Sequence, residues 1–130
     1  TIEAHLKERN VDASYYDLIV TGDLGKIGRE TALSLFKKHG TDMDETRFCD
    51  CGIMIYREEQ KVLSGASGPG CSATVVYGHL LNRMKKGELN RILVVATGAL
   101  LSPLSFQQND TIPCIAHAVS IENVSKEEML

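Results

Sequence analysis

The chain has 130 residues, 43% of them apolar, and its 14 Lys and Arg against 17 Asp and Glu give a net charge of −3. This length and composition are those of one globular domain with its own core, which excludes a disordered chain, a collagen and a disulfide-dependent scaffold. A dedicated nucleic-acid binder would carry an excess of basic residues, so nucleic acid is not an expected partner.

The cysteines and the apolar runs indicate the compartment. The cysteine spacing is not that of a secreted disulfide framework, so we expect reduced thiols inside a cell. The cysteines are Cys49, Cys51, Cys71 and Cys114. The longest apolar run, residues 92–96, is far shorter than the roughly 20 residues of a membrane span, and no signal-peptide pattern is present. Because the sequence opens at Thr1 within a helical pattern, we expect an excerpt of a longer protein.

The first elements in chain order are a helix, a strand and a second helix. Residues 1–9 follow helical spacing. Residues 16–21 form a continuous aliphatic and β-branched run, typical of a strand buried on both faces of a parallel sheet. Residues 28–38 again follow helical spacing and end before Gly40, and the polar residues 41–47 predict a loop.

The middle of the chain is less regular. Residues 52–56 and 62–63 predict a short hairpin around a charged turn. Residues 65–72 are rich in glycine and lead into a helix that we expect Ser72 to cap and that ends by Gly87.

Two further strands are predicted at residues 91–97 and 114–121. The order of strands and helices predicts an α/β fold, with a mixed, mostly parallel sheet covered by helices.

The glycines of residues 22–28 follow a strand and open a helix, as a dinucleotide-binding fingerprint does. Their spacing is GxxGxxG instead of GxGxxG, and Asp23 would place a carboxylate beside any phosphate. We therefore interpret this turn as tight packing of strand against helix.

The glycine-rich residues 65–72 have two interpretations that the sequence leaves open. Their backbone N–H groups can form an anion-binding nest that suits a small carboxylate, with the pKa of the Cys71 thiol lowered at the helix N-terminus. The same glycines also serve where two elements pack closely.

The sequence gives less support for nucleophilic catalysis or for a metal site. Cys71 or Ser72 as a nucleophile would need a base, and His79 is about 11 Å further along the same helix, where its place on the apolar stripe predicts a core role. Cys49 and Cys51 have no second close pair, so no metal site is expected.

Five stretches resemble the C-terminal part of the stage V sporulation protein AD family of endospore-forming bacteria, and together they span nearly the whole chain. They are DLIVTGDL at 17–24, DCGIMIY at 50–56, GPGCSA at 68–73, LNRILVVATGALLSP at 89–103 and IPCIAH at 112–117.

The resemblance implies a thiolase-like fold of two similar α/β halves, with residues 1–130 as the C-terminal half. It implies a non-enzymatic protein that binds dipicolinic acid, as its calcium complex, and supports its uptake into the developing spore. The expected partners are the N-terminal half and membrane proteins of the same operon, and the expected location is peripheral to the spore inner membrane. No cofactor is expected beyond the calcium of the ligand.

The resemblance also bears on catalysis. Ketoacyl synthases of this fold have a catalytic His where this sequence has Gly22 or Asp23, and an Asn where it has residues 66–68, which contain none. Acyl transfer is therefore not expected at these positions. An acyl-thioester transferase and a structural docking module for membrane partners are the alternative functions.

The predicted ligand cleft lies in the loops at one edge of the sheet, where α/β proteins usually bind ligands. No catalytic residue is predicted. The predicted ligand-binding residues are Gly22, Asp23, Ser67, Gly68, Gly70, Cys71, Ser72, Gly98 and Ser102. A sheet face left uncovered by the other half would favour self-association, so a homodimer is expected.

Overall fold

The computed structural model describes residues 1–99 and 102–124, which form a four-stranded sheet in the order β2-β1-β3-β4 with helices on both faces. The strands are β1 (Leu18–Thr21), β2 (Phe48–Asp50), β3 (Arg91–Ala99) and β4 (Cys114–Glu122). The helices are α1 (Ile2–Arg9), α2 (Gly25–His39), α3 (Cys51–Met54), α4 (Gly70–Val75), α5 (Leu81–Lys85) and α6 (Pro103–Gln107).

The sheet is mixed and mostly parallel, as predicted. β1 pairs in parallel with β2 and β3, so that Ile19 lies between Phe48 and Leu93. β4 runs antiparallel to β3, from Arg91 opposite Glu122 to Ala99 opposite Cys114. All four residues of β1 are buried, which explains its continuous apolar run.

Each face of the sheet has its own core cluster, because successive residues of a strand point to opposite faces. Ile19 packs with Phe36 and the buried residues of α1 on one face. Leu18 and Val20 pack with residues of α3, α4 and α5 on the other. The β1–β3 region is therefore covered from both sides.

The helix predicted over residues 28–38 is confirmed as α2, and it begins three residues earlier than expected, at Gly25. The backbone N–H groups of Leu24 and Gly25 donate to Asp50, and that of Lys26 donates to the carbonyl of Ser64. The first N–H groups of a helix have no partner within the helix, and these acceptors satisfy them. The helix can therefore begin at Gly25, four residues after the end of β1.

The predicted hairpin at residues 52–56 and 62–63 is wrong. The chain forms β2 and then turns directly into the short helix α3. Asp50 caps that helix by accepting the backbone N–H of Ile53 at 3.2 Å, and the N–H of Gly52 donates to the carbonyl of Gly22 at 3.0 Å. Capping by Asp50 and contact with the β1 turn favour a helix over an isolated two-stranded hairpin.

The helix after the glycine loop is present, but Ser72 does not cap it. It begins at Gly70, and the Ser72 hydroxyl donates to the carbonyl of Pro69 within the first turn. A π-helical turn at Val76–Leu80 joins α4 to α5, and Gly87 follows with a φ of 74°. The core role predicted for His79 is also wrong, since this residue is exposed.

The short helix α6 is absent from the predicted elements. Ser102 caps it by accepting the N–H of Ser105 at 3.4 Å, and Pro103 occupies its first position, where a missing N–H costs nothing. Leu100 and Leu101, which lie between Gly98 and Ser102 in the predicted cleft, are outside the described residues.

Replacing Asp17 with Asn should lower stability in a pH-dependent way. The Asp17 carboxylate accepts the N–H groups of Asn90 at 2.7 Å and Arg91 at 2.9 Å, and the bond from Asn90 is the largest cause of its lowered pKa. A carboxyl with a lowered folded-state pKa stabilises the fold above its unfolded value, and this stabilisation disappears as the pH falls through the folded value.

We expect Asp17→Asn to cost about 1 kcal/mol at pH 7, an amount reduced by solvent screening of an exposed group. The difference in unfolding free energy between the two proteins should shrink as the pH falls below 3.8, the ordinary pKa of an Asp carboxyl. Urea unfolding between pH 3 and 7 measures it, with the exposed Asp42→Asn as control. A difference of equal size at every pH would contradict this role of the charge.

Candidate functional site

A cleft of about 600 Å³ opens at the end of the sheet where β1 and β3 terminate. The residues that line it come from the chain start, the β1 turn, the glycine loop and the β3–β4 pair. They are Thr1, Asp23, Leu24, Ser67, Thr97, Gly98, Ala99, Cys114, Ile115 and Ala116. This is the position at which ligands bind in open α/β sheets.

Asp23 connects three segments at the wall of this cleft. Its Oδ2 accepts the backbone N–H of Gly68 at 2.7 Å and faces the Ser67 hydroxyl at 3.4 Å. Its Oδ1 accepts the Thr97 hydroxyl at 3.0 Å. The carboxylate therefore joins the β1 turn, the glycine loop and the end of β3.

Asp50 does not line the cleft, but it binds the backbone of the β1 turn that carries Asp23. Its side chain accepts the Thr21 hydroxyl at 2.6 Å and the N–H groups of Leu24 at 2.8 Å, Gly25 at 3.1 Å and Ile53 at 3.2 Å. Asp50 is only 1% exposed, and a buried carboxylate is tolerated when hydrogen bonds saturate it in this way.

The glycine turn after β1 packs tightly, which supports the packing interpretation over dinucleotide binding. A Cβ on Gly22 would lie 2.8 Å from the Thr97 hydroxyl oxygen, and one on Gly25 would lie 2.5 Å from that of Ser64. The N–H groups at the start of α2, where a phosphate would bind, already donate to Asp50.

The glycine loop contains one glycine that packs closely and two that face open space. Gly65 serves packing, because a Cβ there would lie 2.8 Å from the carbonyl oxygen of Gly52. Gly68, with a φ of 116°, and Gly70 face open space. The N–H of Gly68 does bind a carboxylate, but this carboxylate is Asp23 of the same chain.

The thiol of Cys71 is not activated. Burial is the largest cause of its raised pKa, and the nearby Asp23 and Asp50 carboxylates add to it. The predicted lowering of this pKa at the helix N-terminus is therefore wrong. Ser72 engages the carbonyl of Pro69, and the exposed His79 lies further along the helix. None of these contacts forms a nucleophile–base pair.

The structure brings some of the predicted ligand-binding residues together. Asp23, Ser67 and Gly98 line the cleft, and Gly68 joins them through its hydrogen bond to Asp23. The remaining predicted residues do not line it. Gly22 lies beneath Thr97, Cys71 is buried, Gly70 and Ser72 lie in the first turn of α4, and Ser102 caps α6.

Sequence reasoning missed Asp50, Thr21 and Thr97, which hold the site together. Their partners are distant in the chain, since Asp23 and Thr97 are 74 positions apart. A signal for Asp50 exists in the sequence, because an Asp two residues before a glycine is a frequent start of a helix or turn.

The lining of the cleft is largely apolar, with a few polar groups and nearly no charge. Asp23 carries the only charged side chain among the described residues that line it. Within residues 1–99 and 102–124, no group of three or more His, Cys, Asp or Glu side chains is placed to hold a metal ion. This wall can offer a ligand backbone groups and the Asp23 carboxylate, because the hydroxyls of Ser67 and Thr97 are already directed at Asp23.

Together these features define a mixed α/β domain with an open cleft at the carboxyl ends of its central strands. The profile of the stage V sporulation protein AD family matches residues 1–122, and the chain belongs to this family of sporulation proteins. The chain is 48% identical over 122 residues to stage V sporulation protein AD of Bacillus subtilis (strain 168).

The match covers 94% of this chain and 36% of the Bacillus subtilis protein, so the chain spans about a third of its relative's length. In the part of the chain that the structure describes, no helix is both long and apolar enough to pass through a bilayer.

Proposed function

We propose that this chain forms part of a binding site for dipicolinic acid, taken as its calcium complex, in a protein that supports its uptake into the developing spore without catalysis. The sporulation role follows from the family. The cleft at the ends of β1 and β3 is the proposed binding site, since its wall presents the Asp23 carboxylate, which the hydroxyl groups of Ser67 and Thr97 hold in place.

The charge of the cleft supports a ligand that includes the cation. A free pyridine dicarboxylate is a dianion, and a nearby carboxylate such as Asp23 repels it. Calcium prefers oxygen ligands and can bridge two carboxylates. Asp23 Oδ1 accepts one hydrogen bond, from Thr97, and retains a lone pair for such a contact.

The remainder of the protein belongs to the same proposal. A thiolase-like protein has a second α/β half, and we infer that an N-terminal half completes the cleft. Exposed apolar side chains support the presence of a partner that covers them. Tyr77 is 73% exposed, Phe106 is 83% exposed and Ile115 is 62% exposed. A homodimer and docking on membrane proteins at the spore inner membrane are further parts of the proposal.

A binding role is favoured over the alternative of an acyl-thioester transferase. The resemblance implies Gly22 or Asp23 at the place of the catalytic His, and hydrogen bonds to Gly68 and Thr97 hold the Asp23 carboxylate. The Cys71 thiol is buried and its pKa is raised. The protein extended to include the proposed N-terminal half is the longer protein of these experiments. Turnover of acyl-CoA substrates by the longer protein would establish the transferase instead.

Replacing Asp23 with Asn should weaken binding of the calcium complex. The carboxamide keeps an oxygen for the Gly68 N–H but removes the charge that attracts calcium. We expect a roughly tenfold loss of affinity for calcium dipicolinate, on the scale of one altered metal contact, and no loss for dipicolinate without calcium. Titrations of the longer protein with and without calcium measure both. An unchanged affinity for the calcium complex would refute the bridge.

Cys114 provides a direct probe of the cleft. It is the exposed cysteine of the four, whereas burial raises the pKa of Cys51 to about 12 and also raises that of Cys49 and Cys71. Maleimide should therefore alkylate Cys114 first. Calcium dipicolinate at ten times its dissociation constant should slow this reaction about tenfold in the longer protein.

Peptide mapping by mass spectrometry reads each cysteine separately, and a Cys114→Ser variant identifies the protected peptide. Alkylation of Cys114 at the same rate with saturating ligand would place the ligand elsewhere.

A further inference from the structure

Thr97 makes two hydrogen bonds with a single neighbour. Its hydroxyl oxygen accepts the backbone N–H of Asp23 at 3.1 Å, and its hydroxyl hydrogen is donated to Asp23 Oδ1 at 3.0 Å. One hydroxyl group therefore fixes both the backbone and the carboxylate of Asp23.

The space around Thr97 leaves this hydroxyl little freedom. The Cα of Gly22 approaches so closely that a Cβ there would lie 2.8 Å from the hydroxyl oxygen and 3.2 Å from the Thr97 backbone nitrogen. The β1 turn and the end of β3 thus meet at this contact, and the parallel pairing of Thr21 with Val95 holds the two strands in register just before it.

The orientation of Asp23 determines where the glycine loop lies. With Oδ1 bound to Thr97, Oδ2 accepts the Gly68 N–H at 2.7 Å and faces the Ser67 hydroxyl at 3.4 Å. A Cβ added to Gly68 would meet no heavy atom within 4 Å, so no neighbouring element packs against Gly68 on that side. The hydrogen bond to Asp23 joins Gly68 to the β1 turn.

We propose that Thr97 is a positioning residue of the cleft, whose hydroxyl orients Asp23 and thereby holds Ser67 and Gly68 at the cleft wall. The effect on ligand affinity rests on the proposed function, whereas the effect on the loop does not. Because charge-assisted bonds run from Thr97 through Asp23 to Gly68, loss of the hydroxyl should release the loop.

Two substitutions separate the hydroxyl from the shape of the side chain. Thr97→Val keeps the branched shape, which suits a strand, and removes the hydroxyl. Thr97→Ser keeps the hydroxyl and removes a methyl group. Thr74→Val, at an exposed helical position away from the cleft, is the matched control.

The measurements are hydrogen exchange of the Gly68 amide and dipicolinate affinity with calcium, both in the longer protein. For Thr97→Val we expect exchange about tenfold faster and affinity about tenfold lower, the scale of one lost hydrogen bond. Thr97→Ser should restore both, and Thr74→Val should change neither.

Exchange of the Gly68 amide that is unchanged in Thr97→Val, or raised equally in Thr97→Ser, would overturn the positioning role. If exchange responds as expected but the unsubstituted longer protein binds no dipicolinate, the proposed function fails and the control of the loop by Thr97 stands.

Discussion

Substituting Ala for Asp50 should unfold the domain or bring it close to unfolding. The buried carboxylate accepts four hydrogen bonds, from the Thr21 hydroxyl and from the N–H groups of Leu24, Gly25 and Ile53. Each buried donor left without a partner costs about 1–3 kcal/mol. The Thr21 hydroxyl can also donate to the carbonyl of Cys49 at 3.3 Å, so the three N–H groups set the loss, about 3 kcal/mol or more. This is a large part of the roughly 5–15 kcal/mol stability typical of a domain.

Urea unfolding followed by circular dichroism measures this loss. The matched control is Asp42→Ala, because Asp42 is exposed, and we expect it to change stability by no more than about 0.5 kcal/mol. Asp50→Asn should give an intermediate loss, since the amide keeps one acceptor oxygen. Equal stability of Asp50→Ala and Asp42→Ala would show that the turn does not depend on this carboxylate.

Gly52→Ala should be destabilising even though Gly52 lies in a helix, where Ala is normally preferred. A Cβ at this position would lie 2.5 Å from the carbonyl oxygen of Ala66, 3.0 Å from Asp50 Oδ1 and 3.3 Å from the Asp23 Cα. Helix propensity would contribute about 1 kcal/mol in favour of Ala. Displacing the backbone of the glycine loop costs about 3 kcal/mol, so the steric cost is larger.

Gly70→Ala is the control for this substitution. Gly70 starts α4, and nothing lies within 4 Å of a Cβ built on it. Ala should be neutral there or stabilise by up to about 1 kcal/mol. Thermal unfolding of both variants compares the two effects. A Gly52→Ala variant as stable as Gly70→Ala would mean that the loop does not pack against α3 as described.

The elements that the sequence predicts well are those with a local signal. β1 and residues 92–95 of β3 are continuous apolar runs because both faces of the sheet are largely buried there. Both predicted strands agree with the structure to within two residues at each end. The three residues of β2 form no such apolar run. This strand exists because Phe48 pairs with Ile19 and Asp50 binds the β1 turn, contacts that join distant parts of the chain.

Some residues of the candidate site could likewise be predicted from the sequence, and others could not. The rule that ligands bind at the carboxyl ends of parallel strands, together with the family resemblance, is enough to select Asp23, Ser67 and Gly98. Thr97 and Asp50 could not be predicted in this way, because their roles arise from hydrogen bonds between residues that are distant in the chain. The start of α6 does have a local signal in the Ser102–Pro103 pair, which is a common start of a helix.

The most direct measurement is a calorimetric titration of dipicolinic acid with calcium into the longer protein and into its Ala99→Trp variant. Ala99 is exposed and lines the cleft opposite Cys114, so a Trp side chain should fill the cleft without disturbing the core. We expect binding to the unsubstituted protein and at least roughly tenfold weaker binding to the variant, with equal melting temperatures. Equal affinities, or no heat of binding to either protein, would contradict a ligand site in this cleft.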